Sequence, residues 1–291
     1  MLNAPTTALV LEGGGMRNSY TAPMVDQLIA KDVNFGWVGG VSAGATHTAN
    51  FLAKDRNRAV RSFGDFATDP RAGGLRSFLR GSGYFNGEYA YEISGLPDSE
   101  FPFDWDTFSA NETPFRIGAT RVDNGESVYW GREDISGRED FMRKLRCSGT
   151  MPGLMRTPTV DGVAYVDGAL GASGGLLIDA AIADGFDKFF VVRTRPRGFR
   201  RVAPRSTTAV KQLLRTRPAV AEAMLTRHLR YNKTAKLIED LEAEGKARVF
   251  YPDDMRIANT ERNLTKLRDS FNAGMAQTVR EWDDIMDFLQ E

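Results

Sequence analysis

The chain has 291 residues with 38 Lys plus Arg against 38 Asp plus Glu, and this zero net charge excludes a protein built chiefly to bind nucleic acid. Its 42% apolar content is that of a globular chain with a sizeable core, and its length fits one large α/β domain. A single cysteine, Cys147, excludes an internal disulfide framework, and two separated histidines offer no familiar metal-ligand spacing, so neither a metal nor an organic cofactor is expected. The start, MLNAPTTALVLEGGG, lacks a basic n-region and a long apolar h-region, and no apolar run is long enough to span a bilayer. The expected compartment is the reducing cytoplasm, with Cys147 packed in the core.

TALVLE (7–12) is a short apolar run closed by glycines and predicts a buried strand. Residues 19–31 read as a helix with Pro23 in a tolerant first turn. NFGWVGG (34–40) predicts a second strand and AGATHTANFLAKD (43–55) a second helix. This strand–loop–helix repeat, with glycines at both strand-to-helix turns, predicts an α/β fold whose parallel sheet is covered by helices on both faces.

Between Tyr84 and Phe108 eight aromatics crowd into 25 residues without a clean period, which suits either a loop sealing a sheet edge or part of an acyl-chain pocket or its lid. Strands are predicted at 114–122 and 126–130, joined by the hairpin signal Asp123-Asn124-Gly125. Further strands are expected at GVAYV before Asp167, at 187–194 and at 246–252. Residues 206–244 read as helix broken at Pro218. Residues 259–289 read as another, with Leu264, Leu267, Phe271, Met275, Val279, Trp282, Met286 and Leu289 on one stripe. No internal repeat or linker appears. One domain is expected, with a core over about 6–200 and a helical portion over about 206–291 packed on it.

Gly40-Val41-Ser42-Ala43-Gly44 fits G-x-S-x-G between a predicted strand and a predicted helix, the context in which a sharp turn lifts a nucleophilic serine above the sheet. A serine nucleophile needs a proton acceptor and donors for the developing oxyanion. His47 is a poor acceptor, because five residues along a helix places it about 140° round and about 7.5 Å away from the serine. His228 lies in the helical C-terminal region with nothing local to mark it. After the first strand, Gly13-Gly14-Gly15-Met16-Arg17 exposes backbone N–H groups, fitting a phosphate loop, an oxyanion hole beside Ser42, or a structural turn. The order G-G-G-M-R-N does not fit G-x-G-x-x-G. Asp167 follows a predicted strand and is followed by Gly168. It would reach the serine's edge of the sheet if its strand is a parallel neighbour, whereas taken alone it is an ordinary Asp-Gly turn.

Together, GGGMR at 13–17, GVSAG at 40–44 and DGA at 167–169 resemble the bacterial patatin-like phospholipase family, and stretches such as TRVDNGESVYW and FFVVRTRPRGFRR extend the likeness over nearly the whole chain. The resemblance implies a three-layer α/β/α fold and a Ser-Asp dyad, with Ser42 as nucleophile and Asp167 as proton acceptor. It implies Gly13, Gly14 and Gly15 as the oxyanion loop, with Arg17, Gly40, Gly44 and Gly168 supporting the motifs. Asn18 stands where the family has glycine. The loop after Asp167, LGASGGLL, lacks the family's usual acid or amide and proline, which predicts a more mobile loop.

The implied activity is that of a serine acyl hydrolase on a lipid or other carboxylic ester. An acyltransferase on the same scaffold and a noncatalytic lipid- or nucleotide-binding module remain as alternatives. RTRPRGFRRVAPR (193–205) packs six arginines without an acid. It reads as a solvated loop or as a contact for anionic lipid through Arg197, Arg200 and Arg201, placing the protein at a membrane surface.

Overall fold

The computed structural model describes residues 2–291. Alternation along the first strand, β1 (Leu2–Leu11), sets the layering: Leu9 and Leu11 enter one apolar cluster, Ala8 and Val10 another on the opposite face. Both faces are therefore dry, as the unbroken apolar run TALVL anticipated. The first cluster packs Tyr20, Met24 and Leu28 of helix α1 (Asn18–Ala30) with Ile285 and Leu289 near the chain's end. The second packs Tyr231 and Ile238.

After α1 come β2 (Val33–Val41) and α2 (Ala43–Leu52), then the short helices α3 (Arg56–Arg61), α4 (Leu75–Leu79) and α5 (Trp105–Ala110). The hairpin β3 (Phe115–Arg121) and β4 (Ser127–Trp130) is followed by α6 (Arg138–Gly149), β5 (Thr159–Val160) and β6 (Val163–Asp167). The remainder is α7 (Ile178–Ala183), β7 (Lys188–Val192), α8 (Thr207–Leu213), α9 (Pro218–Ala243), β8 (Ala247–Phe250) and α10 (Leu264–Gln290). Hydrogen bonds join the strands along the path β5-β6-β3-β2-β1-β7-β8, with β4 also paired to β3. The fold is α/β with a mostly parallel sheet between helices, and the C-terminal portion adds β8 to that sheet beside β7.

Three readings need revision. Pro23 lies inside α1, so the turn before it lacks one backbone hydrogen bond. Helix α6 escaped notice because its sequence, REDFMRKLRCSG, is strongly charged, yet from Phe141 to Gly149 all but Arg143 are buried, Lys144 and Arg146 included. The condition that Asp167's strand be parallel fails, because β6 runs antiparallel to β3.

The register explains how Asp167 nonetheless reaches the serine. Gly118 of β3 pairs with Val41 of β2 on one side and Tyr129 of β4 on the other, while Ala119 pairs with Val128 of β4 and with Asp167. β2 and β6 therefore share one edge of β3, and their C-terminal ends meet head to head.

The C-terminal helix crosses α1 at close range. Ser19 Oγ donates to Ser270 Oγ at 2.9 Å, and Tyr20 Oη donates to Gln277 Oε1 at 2.6 Å. A Cβ on Gly274 would lie 1.9 Å from the Tyr20 carbonyl oxygen, an unyielding backbone atom. Gly274→Val is thus expected to lower stability by about 2 kcal/mol or more through overpacking, read as a drop in Tm against Ala273→Val as control.

Candidate active site

Three chain reversals meet at the ends of β1, β2 and β6. Ser42 sits between β2 and α2 with φ 59° and ψ −125°, a left-handed conformation costing a non-glycine residue about 1–3 kcal/mol. Its N–H donates to Ser148 Oγ at 2.9 Å, which helps hold the turn, and its Oγ donates to Asp167 Oδ2 at 2.9 Å. The turn closes only over glycine: a Cβ on Gly44 would lie 2.1 Å from the Leu11 carbonyl oxygen, and one on Gly40 2.4 Å from the Gly44 carbonyl carbon.

Asp167 is fixed from several sides. Its N–H donates to the Thr150 carbonyl at 2.8 Å, its Oδ1 accepts from the Ala169 N–H at 2.9 Å, and its own carbonyl accepts from Thr120 Oγ1 at 3.1 Å. Gly168 lets the chain pass β3, since a Cβ there would lie 2.2 Å from the Gly118 carbonyl oxygen. Burial raises the carboxyl's pKa, against the opposing pull of Arg227, the Ala169 N–H and the Ser42 hydroxyl. Asp167 is therefore a stronger base than a solvated aspartate.

The glycine loop lies against this pair, but its three amides differ. The Gly13 N–H donates to the Gly175 carbonyl at 3.2 Å, so it is spent, contrary to the expectation that all three glycines supply free donors. Gly13's part is steric, because a Cβ there would lie 2.7 Å from the Val41 carbonyl oxygen. Among the described residues the N–H groups of Gly14 and Gly15 have no acceptor. Nor does that of Ala43, a donor missed in the sequence although it opens a helix directly after the serine. Met16 N–H donates to the Asn259 carbonyl at 3.0 Å, so the segment before α10 braces the loop. Asn18 braces it too, with Nδ2 donating to the Gly15 carbonyl at 3.2 Å.

Glu12 anchors the loop's start. Only 2% exposed, it accepts from Arg193 Nε at 2.9 Å, Thr194 N–H at 2.7 Å and Tyr231 Oη at 2.9 Å. Burial alone would raise its pKa, but the Arg193 charge and these hydrogen bonds bring it below the usual range.

These groups open on a cavity of about 310 Å³, within the size range of small-molecule sites. Gly14, Arg17, Ser42, Asp167 and Arg227 line it together with the apolar Phe63, Phe101, Phe103, Met142 and Leu145, and Arg58 joins them with its guanidinium over the Phe101 and Phe103 rings. The aromatic segment thus serves both readings: Phe85, Tyr91, Phe101 and Phe103 face the cavity, while Trp105 and Phe108 pack on Phe141. Arg17 and Arg227 both have pKa values lowered to about 10, chiefly by burial, with neighbouring arginines adding repulsion.

A family model described as patatin-like phospholipase matches residues 9–182, well over half of the chain. The chain belongs to the patatin-like phospholipase family. A second model, described as a domain of unknown function (DUF6363), matches residues 217–290 of this patatin-like protein. It is 27% identical over 195 residues to the "Uncharacterized protein YjjU" of Escherichia coli (strain K12), a match covering 65% of this chain and 52% of that protein. The chain thus spans about half the length of that curated relative. Among solved structures, VipD from Legionella pneumophila aligns at a TM-score of 0.47 and 14% identity over 96% of this chain and 67% of that one.

The remaining candidates in this patatin-like chain lie as follows. His47 is fully buried, with Nε2 3.2 Å from Thr21 Oγ1 and its ring 4.5 Å from that of Phe63, and burial pushes its pKa down to about 3. Cys147 is buried, which raises its thiol to about 12. Arg197 and Arg200, though exposed, are engaged in two-pronged pairs with Glu242 and Glu239, and Arg201 stacks on Tyr231, so the charges of these three arginines are partnered within the protein. The loop after Asp167 is not left free: Arg230 donates to the Leu170 and Gly171 carbonyls, and Arg227 to that of Gly174.

Two outcomes are expected. Glu12→Gln leaves Arg193 buried without its counter-charge and is expected to cost about 3–5 kcal/mol, measured by denaturant unfolding. For Asp167, a folded pKa raised above the unfolded one means that its stabilising contribution is complete below about pH 3.9 and is lost as pH rises through the folded value. Asp167→Asn, which never ionises, is accordingly expected to melt above the wild type at neutral pH, with that advantage disappearing near about pH 3.

Proposed function

We propose that this patatin-like protein is a serine acyl hydrolase that cleaves carboxylic esters of lipids. The observation that carries the reading is the 2.9 Å hydrogen bond from Ser42 Oγ to Asp167 Oδ2 in the wall of a cavity lined largely by apolar side chains. Ser42 Oγ attacks the ester carbonyl while its proton passes to Asp167 Oδ2. The N–H groups of Gly14, Gly15 and Ala43 receive the charge that builds on the carbonyl oxygen, a contribution of the kind worth about 10²–10³-fold per donor. Collapse of the tetrahedral intermediate expels the alcohol, which takes the proton from Asp167. A water molecule then gives a proton to Asp167 and its oxygen to the acyl carbon, and the Ser42 oxygen recovers the proton as the fatty acid leaves.

The apolar residues from Phe63 to Leu145 would hold the acyl chain. Arg17 and Arg227, which line the same cavity as Ser42, favour a substrate with negative charge near its ester, such as a phospholipid. His47 takes no part, since its ring is occupied by Thr21 and Phe63 and burial, lowering its pKa to about 3, makes it a poor base.

The test is the turnover of a chromogenic short-chain ester and of phospholipid in mixed micelles. Ser42→Ala is expected to abolish both, and Asp167→Asn to lower kcat by about 10³-fold or more. His47→Gln is expected to stay within a few-fold of wild type. The acid limb of kcat/KM should lie above the ordinary aspartate value near 3.9, because ionised Asp167 is required and its pKa is raised. Full activity in Asp167→Asn, or its loss in a folded His47→Gln, would overturn the reading.

A further inference from the structure

Helix α4 buries only Ser77, leaving Leu75 69%, Phe78 58% and Leu79 75% exposed. Those three side chains, at i, i+3 and i+4 of one helix, form an apolar knob, whereas the other strongly exposed large apolar residues, Val202, Leu213, Leu229 and Val279, lie far apart in the sequence. The knob has a firm base: Ser77 Oγ donates to the Gly83 carbonyl at 2.7 Å, and Phe85 N–H donates to the Leu154 carbonyl at 3.1 Å. Single strand-like pairings join Gly73 to Phe85 and Gly83 to Met155. Leu213, 63% exposed at the end of α8, approaches to 3.4 Å of the point where a Cβ on Gly153 would lie. Three segments distant in sequence, 74–85, 151–157 and 205–217, thus form one collar. Phe85, Leu154 and Met155 belong to both this collar and the wall of the Ser42 cavity.

The collar's charge is one-sided. No Asp or Glu occurs in any of the three segments, although the whole chain has equal numbers of acidic and basic residues. Arg76, Arg80, Arg156, Lys211 and Arg215 are exposed and, among the described residues, none has an ion-pair partner. By contrast, Arg197 and Arg200 have partners in Glu242 and Glu239. Exposed leucine and phenylalanine ringed by unpaired cations match the boundary between lipid head groups and acyl chains, where apolar side chains insert and basic ones meet anionic head groups. A protein partner would be expected to present acids to this ring and an apolar groove to the knob, but a lipid surface supplies both everywhere. A bilayer also supplies what the adjoining cavity would consume.

We propose that the α4 collar, with Leu75, Phe78 and Leu79 inserted and Arg76, Arg80 and Lys211 on the head groups, docks this protein on anionic membrane surfaces with the mouth of the Ser42 cavity facing the lipid. The choice of lipid as occupant rests on the acyl-hydrolase reading, so binding and turnover are measured separately.

The experiment is co-sedimentation of the full chain with vesicles of phosphatidylcholine alone or mixed with phosphatidylglycerol, alongside hydrolysis of a soluble short-chain ester. Wild type is expected to bind the mixed vesicles more tightly. Leu75→Ser/Phe78→Ser/Leu79→Ser is expected to lose about tenfold or more of its partitioning to both vesicle types. Arg76→Gln/Arg80→Gln/Lys211→Gln should lose the preference for phosphatidylglycerol while retaining weak binding to phosphatidylcholine. Both variants should keep the wild-type Tm and soluble-ester kcat/KM, and Arg197→Gln/Arg200→Gln should bind as wild type does.

Vesicle binding that is absent in wild type, or unchanged in the folded triple-serine variant, overturns the proposal. So does a concentration-dependent dimer that the triple-serine variant abolishes while vesicle binding persists, since the knob would then be seated on a second copy. Loss of vesicle binding in the variants, in a protein that hydrolyses no ester, supports the docking surface and counts only against the enzymatic reading.

Discussion

One edge of β3 organises the site. Gly118 takes Val41 of the parallel strand β2, and the next residue, Ala119, takes Asp167 of the antiparallel strand β6. Two strands running toward each other along a single edge must both end where they meet, and their last side chains are forced together. Ser42 turns away into α2 with a left-handed backbone, and Asp167 turns away at Gly168 beneath the Gly118 carbonyl. A one-residue slip of β6 would move its side chains to the other face and separate carboxylate from hydroxyl.

The electrostatics follow from that geometry. An enclosed carboxylate is costly, so burial raises the pKa of Asp167, while the field of Arg227, the Ala169 N–H and the Ser42 hydroxyl act against that rise. Deeper in, Glu12 meets Arg193 and Tyr231 in a fully satisfied network that fixes the start of the glycine loop to β7 and α9. The C-terminal portion is thus part of the site's support: Tyr231 holds Glu12, Asn259 holds Met16, and Arg227 and Arg230 clamp the loop after Asp167. The buried charges and the left-handed serine lower stability locally, as the proposed catalytic role would require.

Much of this was legible in the chain. The apolar runs of β1, β2, β7 and β8 mark buried strands because both faces of a covered parallel sheet are dry, and the G-x-S-x-G turn marks the serine through its demand for close backbone approach. Helical geometry alone separates His47 from Ser42. The position of Asp167 was not legible from local pattern, since it depends on which edge of β3 an antiparallel strand occupies, a long-range register that leaves no local trace. The partners of Arg197 and Arg200 lie some 40 residues downstream on α9, so the arginine-rich run looked freer in sequence than it is in space. Gly13 differs from Gly14 and Gly15 for a similar reason, because only the fold brings the Gly175 carbonyl to its amide.

The proposed hydrolase requires covalent chemistry at Ser42. The most direct measurement is peptide-resolved mass spectrometry of the wild-type protein after brief exposure to a long-chain fluorophosphonate. One stoichiometric adduct is expected on the peptide carrying GGVSAGATHT, placed on Ser42 by fragmentation and much slower to form in Asp167→Asn. An adduct on another residue, or none in a folded protein, would contradict it.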